Sequence, residues 1–263
     1  MFNKEAMQLL LKKVPDLKSP AKVLLTVLYA GFLGFLCFAF FHYVDRLGLV
    51  APLLSQGIVA MLTALISWLH FRLAGWYRDR YGELAYRTYF YHLMLPYLIA
   101  WYACFFHPLF IGGPALLPAW LAIVLGIFFL LLVPLTSVHI ERAGFHMETH
   151  GMDIYTVFPE ETTIVRGEIY AYIRHPLYFA LTCGTFGLAF FANNWIALGA
   201  AVLQLIPALF AGWMEDKELI ERDGAAHQEY IKGTGALLPR KDMVGFFRLL
   251  FVVLVAPSSE RSR

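Results

Sequence analysis

The sequence is short of charge. Only 15% of its 263 residues are Asp, Glu, Lys or Arg, against about 25% in a soluble domain. Hydrophobic residues make up 59% and aromatics 16%, and the mean hydropathy is +0.61. Such a chain cannot cover itself with polar surface, which excludes both an ordinary soluble domain and a disordered chain. Cysteine is scarce: Cys37, Cys104 and Cys183 all stand in apolar stretches with no CxxC pair. A disulfide scaffold is thereby excluded, and reduced core residues are the simplest reading. The net charge of +2 and the lack of any long basic run argue against nucleic acid as a partner. No internal repeat, low-complexity tract or collagen period is present.

Hydrophobic length is what the sequence has instead. A helix needs about 20 mostly apolar residues to cross the hydrocarbon core. Runs of that kind stand at about 22–44, 49–71, 90–111, 116–138, 177–192 and 195–213. The first is too long for a secretory signal, and no small-residue cleavage site follows it. The fifth is short and begins at Pro176, so it is expected to start in the interface or inside the protein. Met243–Pro257 is interrupted by Arg248 and reads as a surface-lying or re-entrant segment. Met1–Pro20, with Leu9, Leu10 and Val14 among lysines, reads as a short amphipathic helix on anionic lipid. Pro207 should kink the sixth run.

Lys and Arg placement sets the orientation. With the N-terminus cytoplasmic, 20 of the 21 positive residues fall on the inner side and only Arg46 remains outside. The segments near His107–Pro118 and Asn193–Asn194 carry none. The two long polar segments, roughly 139–176 and 214–242, therefore share the cytoplasmic side, where chemistry with a soluble cofactor belongs.

The densest set of unusual residues runs from Gly167 to Ala180 and includes Tyr170, Tyr172, Arg174, His175, Pro176 and Tyr178. Proline suits the first position of a helix, since its missing N–H had no partner there. His175 then falls at the cap and Arg174 just outside it. A helix N-terminus flanked by Arg and His suits a carboxylate or phosphate. The same residues would also serve as a membrane–water boundary with an aromatic belt. Glu215, Asp216, Lys217 and Glu218 follow the sixth run directly, and the tight Asn193–Asn194 turn makes runs five and six an antiparallel hairpin. That hairpin returns Glu215 to the face holding Arg174 and His175. A cationic helix start opposite an acidic helix end complements a zwitterion, although a solvated, salt-bridged helix would carry the same charges.

Taken together, these residues resemble a known pattern. Arg174-His-Pro-Leu-Tyr178-Phe-Ala180, a hydrophobic hairpin and then two adjacent acids is similar to the cofactor motif of the isoprenylcysteine carboxyl methyltransferase and phospholipid N-methyltransferase superfamily. Tyr170-Ala-Tyr172-Ile is similar to the lead-in of that motif, and Leu219–Arg222, His227–Tyr230 and Leu238–Arg240 to its tail. The resemblance covers about residues 160–240. It implies S-adenosylmethionine as cofactor, with Tyr170, Tyr172, Arg174, His175 and Tyr178 lining its pocket. Glu215 would hold its amino group, Asp216 would stand as the second acid, and Arg174 is the first choice for orienting an acidic substrate group. Three departures stand out: an extra residue between Gly167 and Tyr170, Asp in place of Glu at 216, and Asp223-Gly224 after the acidic helix.

The expected fold is all-α: a polytopic membrane helical bundle of about six transmembrane helices, with a cytoplasmic cofactor pocket formed by the C-terminal hairpin and tail. Residues 1–138 would form an N-terminal bundle of four spans, 139–242 the catalytic region and 243–263 a membrane-associated tail, with both termini cytoplasmic. The expected activity is methyl transfer to a lipophilic carboxylate, amine or thiol. An NADPH-dependent sterol or enone reductase and a non-catalytic membrane scaffold are the rival readings. His146 and His150 at HxxxH spacing invite a metal, but without companion clusters no metal site is assigned. His92 and His107 are functional candidates because ionisable groups at membrane depth usually are.

Overall fold

Asn3 opens the chain's first helix, α1 (Lys4–Lys13), by accepting hydrogen bonds from the Glu5 and Ala6 amides at 3.0 and 3.1 Å. The computed structural model describes residues 3–161 and 164–255. A short 3₁₀ turn, Pro15–Lys18, leads into α2 (Pro20–Val44), whose Leu24, Leu25, Leu28, Phe32 and Phe35 all face outward. A lone polar-free surface of this kind belongs against lipid.

Next, α3 (Ala51–Tyr81) has 31 residues, roughly 46 Å of helix, and so outruns a hydrocarbon core of about 30 Å. Gly82, at φ +53°, ends it in a conformation that side-chain-bearing residues resist. The chain then returns through α4 (Ala85–Tyr89), a widened π turn at Phe90–Met94, and α5 (Leu95–Phe106). That widened turn falls just before Pro96, which has no N–H to offer the His92 carbonyl. From there the chain crosses again in α6 (Ala119–Arg142) and runs through a long segment containing α7 (Ile154–Val157).

The hairpin expected from the sequence follows. In α8 (Pro176–Ala192) His175 is the cap, and Asn193 at φ +51° closes the far end. Asn194 then caps α9 (Trp195–Leu203) by accepting from the Ala197 amide at 2.9 Å. Gln204 separates α9 from α10 (Leu205–Asp223), because Pro207 removes the amide that the Leu203 carbonyl would have used. The expected interruption at Pro207 is therefore a break three residues upstream. The chain finishes with α11 (Ala225–Gly233) and α12 (Met243–Val255).

Among the described residues four helical stretches are long and apolar enough to cross a membrane: Pro20–Leu47, Ala51–Phe110, Ala119–Arg142 and Trp195–Asp223. The second contains both α3 and the returning α5, and so absorbs two of the expected runs. With only 17 residues, α8 is about 25 Å long, and it starts at buried His175 and Pro176, inside the protein. It packs on α6 and α5 through small residues: a Cβ on Gly187 would lie 3.0 Å from the Gly126 carbonyl oxygen of α6, and one on Gly184 would lie 2.5 Å from the Phe105 ring of α5. Such close approach is the usual means of joining helices where no hydrophobic drive exists between them.

Both ends of the chain pack more intimately than surface anchors would. Leu10 and Val14 of the α1 segment are buried among Tyr77, Tyr86 and Phe158, and Lys13 Nζ lies 3.3 Å over the Phe158 ring. The amphipathic N-terminal helix thus spends its apolar face on the protein rather than on lipid. In α12, Phe246 and Leu250 are fully buried with Leu132, Ile140 and Phe179. Residues 256–263 of the expected tail lie outside the described residues.

Candidate functional site

Backbone pairing sets the site. The Ile173–His175 segment lies parallel to the chain after α11, with the Arg174 amide donating to Gly235 O at 2.8 Å and the His175 amide to Ala236 O at 3.1 Å. This fixes the entry to α8 and turns the Arg174 and His175 side chains toward α10. Gly212 provides the room: a Cβ there would lie 2.8 Å from His175 Cδ2.

Two adjacent acids on α10 divide their roles. Asp216, whose side chain is 11% exposed, is the centre of a cation cluster. Arg174 donates to it through Nε at 3.1 Å and Nη2 at 3.0 Å, and His227 Nε2 stands 3.2 Å away. Arg174 Nη1 donates to the carbonyls of Thr234 and Ile231. The guanidinium thus donates from Nε and both terminal nitrogens to the protein, with Asp216 as the acid it holds in this structure. Glu215 is 29% exposed and looks into an open cavity. It accepts from Tyr178 Oη at 2.5 Å and pairs with His175 Nδ1 at 2.9 Å. His175 Nε2 is 3.3 Å from Asp216 Oδ1, within ion-pair range but off the hydrogen-bond line.

Burial alone would push the His175 imidazolium toward neutrality. The close contact with Asp216, the hydrogen bond with Glu215 and the charge of both acids outweigh it and lift the pKa to about 9. The group is accordingly a buried cation at neutral pH, next to the start of α8.

The cavity, its open mouth included, has about 1370 Å³ of empty space. Tyr170, Arg174, His175, Tyr178, Glu215 and Asp216 all line it, so six of the seven residues singled out from the sequence converge. Tyr172 is the exception. It is half-buried away from the cavity, its ring 6.0 Å from that of Phe246, and supports the wall from behind. Tyr230 Oη donates to Tyr170 O at 2.5 Å and ties α11 to the same wall.

The opposite wall was not legible from the motif. It is built by Met94, Tyr97 and Trp101 from the turn before α5 and from α5 itself, and by Asp153 and Tyr155 from the segment after α6. Trp101 stacks on Tyr178 at 5.2 Å and 22°. Asp153 is 3.0 Å from His70 Nε2 of α3. Burial pushes its carboxyl pKa up and the His70 contact draws it partly back, while the charge of Glu215 pushes it up further. Neither Trp101 nor His70 belongs to a sequence motif; only folding places them here. Of the remaining candidates His150 lines the cavity as well, while His92, His107 and His146 do not. His107 is held by Gln56 and Asp45 at 2.9 and 2.8 Å, and His92 by Tyr77 at 3.1 Å. His146 contacts Asn3 and the His150 ring nitrogen at 3.2 and 3.1 Å, through its side chain and its amide respectively. Among the described residues no three His, Cys, Asp or Glu side chains gather as metal ligands would.

Neither the curated proteins nor the solved structures returned a match to this chain. A match exists at the level of families: phospholipid methyltransferase, over residues 121–222. It takes in nearly all of α6, the Arg174-His175-Pro176 turn, the α8–α10 hairpin and both acids, so this part of the chain is similar to that family.

Proposed function

We propose that the protein transfers the methyl of S-adenosylmethionine to a lipophilic acceptor at the cytoplasmic face of a membrane. One observation carries the reading: the cavity puts an exposed carboxylate, a buried imidazolium and a helix N-terminus together beneath an aromatic wall. The cofactor's amino acid end is a zwitterion. Glu215 fits its ammonium group, while His175 and the start of α8 fit its carboxylate. Tyr97, Trp101 and Tyr178 offer ring faces to a sulfonium, worth about 0.5–2 kcal/mol as cation–π contact. Arg174 and Asp216 act as the clamp that keeps His175 and α11 in register, and Tyr170 closes the adjoining wall.

When bound, the cofactor supplies an activated methyl group, so the protein's part is orientation and exclusion of water. Residues suited to this line the cavity, from the segment after α6 and as aromatic rings from α5 and α8. The positive-residue asymmetry supports the cytoplasmic assignment, and the lipid-facing helices support a lipophilic acceptor reaching the site from the bilayer.

The test is calorimetric titration of S-adenosylmethionine, and separately of NADPH, into detergent-purified protein. Saturable binding of S-adenosylmethionine alone, reduced by about tenfold or more in Glu215→Gln through loss of one charged hydrogen-bonding group, is the expected result. Binding of NADPH alone would replace this reading with a reductase, and binding of neither to folded protein would leave a scaffold.

A further inference from the structure

The cavity contains an acid that the cofactor reading leaves unused. Asp153 lines the same cavity as the Arg174–His175 turn, at φ 50° and ψ 33°, a left-handed conformation that Asp tolerates better than most residues. One carboxylate oxygen, Oδ2, lies 3.0 Å from His70 Nε2, and the other has no hydrogen bond among the described residues. His70 is 1% exposed and held between the rings of Tyr89 and Tyr97, with centroids at 4.8 and 5.8 Å. Both its ring nitrogens are buried with no aligned hydrogen-bond partner among the described residues, so Nε2 meets Asp153 at ion-pair distance, off the hydrogen-bond line. The other acids of the cavity are already engaged: Glu215 by His175 and Tyr178, Asp216 by Arg174 and His227, and Glu218 by Arg222 at 3.4 Å.

We infer that Asp153 is the base that removes the proton from the methyl acceptor, with His70 as the positioning residue behind it. The inference rests on the methyl-transfer reading above and deepens it, because it requires an acceptor that enters with a proton on its nucleophilic atom. An alkylammonium or a thiol qualifies; a carboxylate, already ionised, needs no base. Asp153 takes the proton and exposes the acceptor's lone pair. As that pair forms the new bond to the methyl carbon, the methyl–sulfur bond breaks and its electrons stay on sulfur, turning the sulfonium into a neutral thioether. The proton leaves Asp153 to water through the cavity mouth. A raised carboxyl pKa suits this task, since a base is most effective when its pKa approaches the working pH. The groups around it act on that value: His70 from α3 lowers it and Glu215 from α10 raises it, while the phenols of Tyr86, Tyr89, Tyr97 and Tyr178 nearby are uncharged.

The experiment compares wild type with Asp153→Asn, which keeps the shape and the left-handed preference. Labelled S-adenosylmethionine is offered with decylamine, decanethiol or decanoate in detergent. Methylation of the amine or the thiol is expected to fall about 100-fold in the variant, with S-adenosylmethionine affinity unchanged. Wild-type turnover in Asp153→Asn, or methylation of decanoate alone, would overturn the inference. If no probe is methylated, decylamine titrated into the protein with and without S-adenosylhomocysteine decides: affinity lost in Asp153→Asn supports the assignment, and equal affinity or no binding overturns it. His70→Gln should move the acid limb of the kcat/KM profile to higher pH, because the imidazole no longer lowers the Asp153 value. A fall in rate without that shift would reduce His70 to a structural part. Failure of wild type to bind S-adenosylmethionine would instead remove the methyl-transfer reading on which this one stands.

Discussion

Gly212→Ala should be harmful even though alanine is the better helix former. In an open helix position the exchange gains about 1 kcal/mol, and Gly75, an exposed α3 glycine with nothing within 4 Å of a built Cβ, offers that case. At Gly212 the new methyl would sit 2.8 Å from His175 Cδ2 and 3.1 Å from Nε2. Ordinary carbon contact begins at roughly 3.5 Å, so the imidazole must retreat by about 0.7 Å. It cannot retreat freely, because its amide is pinned to Ala236 O and its Nδ1 to Glu215. Overpacking of a tight site costs about 1–3 kcal/mol, which cancels or exceeds the propensity gain. Displacing Nδ1 from Glu215 also weakens a charge-assisted hydrogen bond worth about 1.5–3 kcal/mol, a loss of roughly 10- to 100-fold in S-adenosylmethionine affinity. Thermal unfolding and calorimetry of Gly75→Ala, Gly212→Ala and wild type in one detergent give both numbers. A Gly212→Ala protein that is stabilised like Gly75→Ala and binds the cofactor like wild type would refute the reasoning.

Because the folded His175 pKa of about 9 exceeds the unfolded value of about 6.5, its contribution to stability is complete below pH 6.5. It is lost as pH rises through 9, so the unfolding midpoint of wild type should fall across that window more than that of His175→Gln. Asp216→Ala should destabilise by about 3–5 kcal/mol, since it leaves Arg174 and His227 buried without their acid; thermal unfolding beside Glu215→Gln, whose exposed acid leaves the fold intact, checks it.

What the sequence disclosed was the part written locally. Hydropathy marked the helical runs because lipid imposes the same demand on every crossing residue. The Pro176 start, the Asn193–Asn194 turn and the Pro207 interruption were readable because each rests on the backbone chemistry of one residue. Long-range placement was hidden. Nothing in the neighbourhood of His70 says that it meets Asp153, 83 positions later, and Asp153 lies in a segment without periodicity. The docking of α1 was missed for a similar reason: an amphipathic stripe records that one face is apolar, and Leu10 and Val14 satisfy it equally against lipid or against Tyr77 and Phe158.

The same distinction explains the adjacent acids. Consecutive residues on a helix point about 100° apart, so Glu215 and Asp216 cannot both face the cavity squarely. The chain meets both directions with positive partners from one short segment, Arg174 toward Asp216 and His175 reaching toward each. An acid paired to a fully bonded guanidinium fixes geometry, while one held only by a phenol and an imidazole can exchange a bond for a ligand's. Spacing predicted that this pair of acids would return to the Arg174–His175 turn. Which one clamps and which one remains exposed follows from the docking of residues 173–175 on Gly235 and Ala236, which aims Arg174 at Asp216 and leaves Glu215 at the cavity wall.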